Sequence, residues 1–407
     1  MGAVSRGRSA ARRLRFALAF VLVAAPAAVA WSAAGQAVGS GQAVGSGQTV
    51  GSAFARARTA TAPVAGAWRR LSPAPIATVG GAVSVWTGRQ MLVFGRAQPN
   101  PPWSVDVAAG YNPTTDTWRR LAPFPGPTGN YEGHYSAVWT GKEMLIWGPG
   151  DREAFNPSTN HWRRLPSPPL SGHDAAGVVV WTGREMVGWG GGCCGDAFSD
   201  GAAYNPTANT WRKLSPAPVG GQQSPTATWT GRELIVLNGR NAEGKAVGGA
   251  AYNPTTNRWR RIAPLPETGG AAVWDGHEIL VVGGGAHGRS AHAYAPATNR
   301  WRRIASMPSR REGAAAVWTG KRLLIWGGTT SSLAAVKLVT PNQGLAYDPR
   351  GNRWSALPGA PLPGRLDPTA VWTGHAMIVW GGYRPAIPAG AGERVFADGA
   401  AFRPATP

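Results

Sequence analysis

The sequence predicts an all-β chain, a seven-bladed β-propeller of four-stranded blades whose ring is closed by the N-terminal strand completing the last blade. Three observations predict it. A Trp-Arg-Arg-Leu-like motif begins at Trp68, Trp118, Trp162, Trp211, Trp259, Trp301 and Trp354, advancing by 50, 44, 49, 48, 42 and 53 residues. A Val-Trp-Thr-Gly-like motif also occurs seven times, with its indole at Trp86, Trp139, Trp181, Trp229, Trp274, Trp318 and Trp372. No helical periodicity lies between these landmarks, which excludes a parallel βαβ arrangement. Self-similarity at such a period marks a chain in which each unit buries its apolar face only against its neighbours.

Composition agrees. Of 407 residues, 57 are Gly and 35 are Pro, too many breakers for long helices. Yet 43% of the chain is hydrophobic, too much for a disordered polymer. Only 15% is charged, which excludes a coiled coil, and 20 Trp stand out. The net charge of +21 has meaning only once it has a location.

The N-terminus reads as an export signal over residues 1–30. Arg6, Arg8, Arg12, Arg13 and Arg15 precede an apolar stretch from Phe16 to Ala30, and Ala28-Val29-Ala30 is an A-x-A-like cleavage site. The competing reading is an uncleaved anchor, but the stretch is short against the ~20 residues of a bilayer span. The expectation is therefore a secreted, extracellular or envelope-associated protein with no membrane span in the mature chain. Residues 31–65 read as a linker, built around GQAVGS, GQAVGS and GQTVGS. The propeller occupies 66–407.

Within each unit the elements follow in order. Apolar residues run into Val-Trp, and a two-residue Thr-Gly turn leads back into a run such as Met91-Leu92-Val93-Phe94. In one copy Asp275-Gly276 supplies the turn. Glycines such as Gly191, Gly283, Gly327 and Gly381 end the second strand. A variable loop leads to a third strand carrying Tyr111, Phe155, Tyr204, Tyr252, Tyr294 or Tyr347. Asn-Pro-Thr then turns the chain, with Pro presetting φ, and the Trp-Arg-Arg strand completes four. Trp68 lacks three partners before it, and Ala401-Phe402-Arg403-Pro404 is a third strand lacking its fourth. The two fragments should complete one blade.

Four short strands, a double glycine and a Tyr…Trp pair every ~48 residues resemble the Kelch repeat, and hence the Kelch-type propellers of the galactose oxidase superfamily and exported bacterial Kelch-repeat proteins. The resemblance runs from about residue 66 to 407. It implies fold rather than function, because such propellers host both binders and enzymes. The recurring Trp, Tyr and Gly sets read as packing. Gly283–Gly288 fits a G-x-G-x-x-G pattern, but a strand rather than a helix follows, so no helix N-terminus awaits a pyrophosphate.

Twelve basic residues are the two positions after the outer-strand Trp, from Arg69 and Arg70 to Arg302 and Arg303. They should ring the outer wall, either as a solvated edge that discourages strand addition or as an adhesion surface for an anionic polymer. Nucleic acid is not expected as a partner, since the aromatics are committed to packing.

Function should lie on the face carrying the outer-to-inner and second-to-third-strand loops, which vary in length. Seven residues before each inner-strand Trp stand Val79, Glu132, Asp174, Gln222, Glu267, Arg311 and Arg365. If the loops align, these side chains ring the channel mouth, with acids on one arc and arginines on the other. Kelch propellers often place ligand-contacting Arg near here, which Arg311 and Arg365 resemble. The candidate ligand-binding residues are Glu132, His134, Asp174, Gln222, Glu267, Arg311 and Arg365. The expected ligand is polar, anionic or sugar-like, held by forked guanidinium bonds and by carboxylates accepting hydroxyls. The alternative is mutual neutralisation across the pore.

His134, His173 and His287 share the loop face but lack any short-range metal-ligand spacing, so neither a metal nor another cofactor is expected. Cys193 and Cys194 are the only cysteines. Either they form a strained vicinal disulfide, the favoured reading for an exported chain, or they are free thiols.

Two function classes follow. The first is a non-catalytic, monomeric binding module for a glycan, cell-wall polymer or protein. The second is a carbohydrate-active enzyme. The galactose oxidase resemblance would imply copper held by two Tyr and two His with a Tyr crosslinked to an isolated Cys. This chain lacks such a Cys, and His134-Tyr135 stands in reversed order. A sialic-acid mutarotase, also Kelch-based, needs only acid/base groups at the mouth, for which Glu132, Asp174 and Glu267 qualify. The expectation leans to the binding module.

Overall fold

The computed structural model describes residues 63–405 apart from the loop segments 79–81, 101–102, 126–134, 149–151, 171–176, 193–195, 238, 267–269, 285–286, 332–337 and 386–392. It shows seven four-stranded antiparallel sheets arranged as a β-propeller. Blade 1 comprises Val83–Trp86, Met91–Asn100, Trp103–Asn112 and Thr117–Arg120. The next five repeat that order from inner to outer strand. Blade 7 is discontinuous in sequence: Thr369–Trp372, Met377–Trp380 and Gly399–Pro404 are joined by Gly66–Arg70. Trp68 pairs with Phe402 in that register. The expected closure is therefore present, and no blade is left with an open outer partner.

The inner hairpins differ by one residue from the expected Thr-Gly turn. The two apical residues are Gly and its successor, as in Gly88-Arg89, with φ of +90° at Gly88. Thr87 sits before the apex, its N–H donating to Gln90 O and its Oγ1 accepting from Gln90 N at 3.0 Å. Gly is needed because the first apical position requires positive φ, as in a type II′ turn. Asp275 replaces Thr with the same capping geometry, Oδ1 accepting from Glu278 N at 2.7 Å.

Packing lies between blades rather than within them. One cluster joins Trp326 and Ala346 of blade 6 to Val379, Ala400 and Phe402 of blade 7. Another joins Ile378 and Trp380 to Met91, Val93 and Tyr111 of blade 1. The recurring aromatics are the joint. Tyr111 lies directly opposite Trp118, their ring centroids 4.9 Å apart. The Trp118 indole donates to Ser72 O, beyond the outer strand of the preceding blade, at 3.0 Å. All seven outer-strand indoles make the equivalent bond, each to the residue four after the preceding outer-strand Trp.

The paired basic residues of the outer strand do not behave alike. Adjacent strand residues point to opposite faces, so the first of each pair turns toward the next blade. Arg212 forks onto Glu185 of its own inner hairpin and reaches the Tyr252 hydroxyl of blade 4 at 2.8 Å. Arg163 with Glu143 and Tyr204, and Arg260 with Glu233 and Tyr294, repeat it. The second member, as at Arg120, Lys213, Arg261 and Arg303, is exposed. Half of the expected basic wall is thus a set of inter-blade struts.

Candidate functional site

Residues on or beside the inner strands of blades 1, 2, 3, 6 and 7 line a cavity of about 390 Å³. Its walls are mostly small: Ala82, Ser84, Ser136, Ala137, Ala315 and Thr369 are among them. Tyr135 is the one large side chain among the described residues that line it. It packs edge-on against Phe94 with centroids 4.8 Å apart.

The Tyr135 hydroxyl donates to Asp106 Oδ2 at 2.8 Å and accepts from Arg96 Nη2 at 2.9 Å. Arg96 and Asp106 face each other across the long hairpin of blade 1. Burial pushes the Asp106 carboxyl up, while the Tyr135 bond and the Arg96 charge pull it back. Of this cluster Tyr135 lines the cavity, with the Asp106 carboxylate and the Arg96 guanidinium behind it on its hydroxyl. The sequence reading did not assemble it. The signal available was the alternation that puts Arg96 and Asp106 in register, but Tyr135 belongs to the approach to blade 2.

Of the residues expected around the mouth, the structure describes Gln222, Arg311 and Arg365. Glu132, His134, Asp174, Glu267, Cys193 and Cys194 lie outside the described residues, as does His173. His287 is described and exposed. Gln222 is fully buried and donates from Nε2 to Gly248 O at 2.9 Å, pinning a loop of blade 4. Arg365 is also fully buried. Its Nη1 donates to Asp398 Oδ1 at 2.7 Å and to Gly381 O at 3.1 Å, and its guanidinium stacks 3.9 Å from the Phe396 ring centroid. Arg365 therefore braces blade 7, although its Nη2 has no partner among the described residues.

Arg311 differs. It starts the approach to the inner strand of blade 6, on the loop face, and is 9% exposed. Its Nε and Nη1 are buried without a hydrogen-bond partner among the described residues. The neighbouring acid, Glu312, is taken by Arg310 through Oε2. Burial pushes the Arg311 guanidinium down to about 10, with no carboxylate among the described residues to offset it. It stays charged at neutral pH. A buried, unpaired charge is costly and invites an anion.

No protein-family model matches the chain, and no curated protein matches it. Among solved structures it is similar to a novel fungal alcohol oxidase with catalytic diversity among the AA5 family, in complex with copper. The TM-score is 0.60 at 16% identity, over 83% of this chain and 76% of that one. The likeness is one of fold. Among the described residues no three His, Cys, Asp or Glu side chains gather as a metal site would need.

Proposed function

We propose that this is an exported Kelch-like propeller that binds a polar, anionic ligand on its variable-loop face, with Arg311 as the anchoring cation. One observation carries the reading: a guanidinium nine-tenths enclosed, with two of its three nitrogens unsatisfied and no acid committed to it among the described residues. A carboxylate or phosphate would supply the missing acceptors through a charge-assisted, bidentate bond. Export is supported by the basic-then-apolar order of residues 6–30. An acidic glycan or cell-wall polymer meets both features.

The test is calorimetric titration with a panel of acidic sugars, namely glucuronate, galacturonate and N-acetylneuraminate. Binding by the parent chain, lost in Arg311→Met and retained in Arg289→Met, is the expected result. Equal affinity in the parent and Arg311→Met chains would refute it.

A second reading rests on the Tyr135 cluster. A phenol with a buried carboxylate and a guanidinium on its oxygen is equipped to move a proton at a sugar hydroxyl or ring oxygen. The matching activity is a metal-independent aldose mutarotase. A rate enhancement that survives chelator and falls in Tyr135→Phe would favour it over simple binding.

A further inference from the structure

On the face opposite the loops, every inner hairpin carries a basic residue at its second apical position. They are Arg89, Lys142, Arg184, Arg232, His277, Lys321 and His375. All seven are exposed. The geometry dictates this: Gly takes the first apical position because it needs positive φ, so the next side chain projects from the tip. The seven turns have the same length and capping, so their tips form a level ring around the channel exit.

The acids on this face are already engaged. Glu143, Glu185, Glu233 and Glu278 each fork onto an arginine of the outer strand. Asp116 pairs with Arg69 and Asp348 with Arg353, while Asp275 caps its own hairpin by accepting from the His277 and Glu278 backbone N–H groups. The seven tip residues, by contrast, have no side-chain partner in the described structure, and five of them are Lys or Arg. The ring is therefore a net cationic annulus.

The chain also enters here. Thr369–Trp372 runs toward its hairpin tip, and three antiparallel pairings later Gly66 lies beside Pro404 at that same end. The segment preceding the propeller thus joins it on the turn face. That segment contains five arginines followed by an apolar stretch, then the Gly/Ser/Gln linker.

We infer that the turn face docks on an anionic lipid bilayer surface, leaving the variable-loop face pointing away from it. A level ring of short tips matches a plane, whereas a thread-like polyanion needs a groove, and the tips form none. Juxtamembrane basic residues gain attraction from anionic headgroups, and the gain falls off within a Debye length.

The experiment is vesicle co-sedimentation of the full chain. The vesicles are phosphatidylcholine alone or phosphatidylcholine with one-third phosphatidylglycerol, at low and high salt. Two variants carry equal charge loss. One replaces Arg89, Arg184, Arg232 and Lys321 with Ser. The other replaces Arg120, Lys213, Arg261 and Arg303 on the outer wall with Ser. The parent chain is expected to bind anionic vesicles about tenfold more tightly than neutral ones at low salt, with the advantage lost at high salt. The tip variant should lose that advantage and the wall variant keep it.

Equal losses in both variants would mean that net charge alone acts, overturning the proposal. No loss in either would assign binding to the N-terminal segment and overturn it too. If soluble polyphosphate binds as tightly as the vesicles and loses equally in the tip variant, the partner is a linear polyanion and the lipid assignment fails. Hydrogen exchange on the parent chain gives a readout free of any substitution: vesicles should protect the seven hairpin tips and spare the opposite loops, and the reverse pattern would contradict the docking.

Discussion

The Trp68 indole nitrogen donates to the Pro358 carbonyl at 3.0 Å, across 290 residues of chain. It is the same bond that the other six outer-strand indoles make to their preceding blades. In blade 7 it also seals the two ends of the propeller, since Trp68 stacks on Phe402 with centroids 5.2 Å apart. Trp68 is half-buried, so Trp68→Ala should cost about 2–3 kcal/mol, somewhat less than truncating a fully buried Trp. The expected result in a denaturant melt is a large drop in midpoint. A drop no larger than that of an exposed-site control would show that closure does not hold the ring.

The phenols at the blade joints set an alkaline limit. Burial, then its bond to Asp116, pushes Tyr111 up to about 12. Burial also raises Tyr252, Tyr294 and Tyr347. A phenol held neutral by the fold contributes stability that is complete below its ordinary value near 10 and is lost as pH rises through the folded value. The midpoint of unfolding should therefore fall between about pH 10 and pH 12. Tyr111→Phe should lower stability by about 1 kcal/mol at neutral pH and reduce the alkaline slope. Phe155 already occupies the equivalent position in blade 2. A parent chain whose midpoint is flat across that window would contradict the account.

Two glycines separate crowding from conformation. A Cβ on Gly201 would sit 2.3 Å from Gly188 O and 2.9 Å from the Trp189 ring. A Cβ on Gly231 meets nothing within 4 Å, but its φ is +88°. Gly201→Ala should cost about 1–3 kcal/mol through overpacking between rigid strands. Gly231→Ala should cost about 1–2 kcal/mol through φ alone, and Asn at that position should recover part of it. Equal recovery by Asn at Gly201 would contradict the distinction.

The ring was legible because its determinants are local and repeated. Each blade carries its Trp, its Tyr or Phe and its turn glycine at fixed positions, so closure could be read from Trp68 and Phe402 alone. The hairpin apex lies one residue beyond the expected Thr-Gly pair, because Thr87 serves as the cap and Gly88 needs the positive φ. The site was less legible because its partnerships cross units. Arg365 meets Asp398 33 residues later, and Arg163 meets Tyr204 in the next blade. Arg311 and Arg365 stand in equivalent register before their inner Trp, yet among the described residues only Arg365 is paired with a carboxylate. Tyr135 needs a hairpin from another blade to acquire Arg96 and Asp106.

The most direct test of the central claim is the thermal midpoint of the parent and Arg311→Met chains, each with and without galacturonate. An uncompensated buried guanidinium kept for a ligand costs stability in the free protein. The account predicts that Arg311→Met raises the ligand-free midpoint, by the equivalent of about 1–3 kcal/mol, and abolishes the stabilisation that the ligand gives the parent chain. A lower ligand-free midpoint, with ligand stabilisation intact, would make Arg311 a scaffold residue and contradict the account.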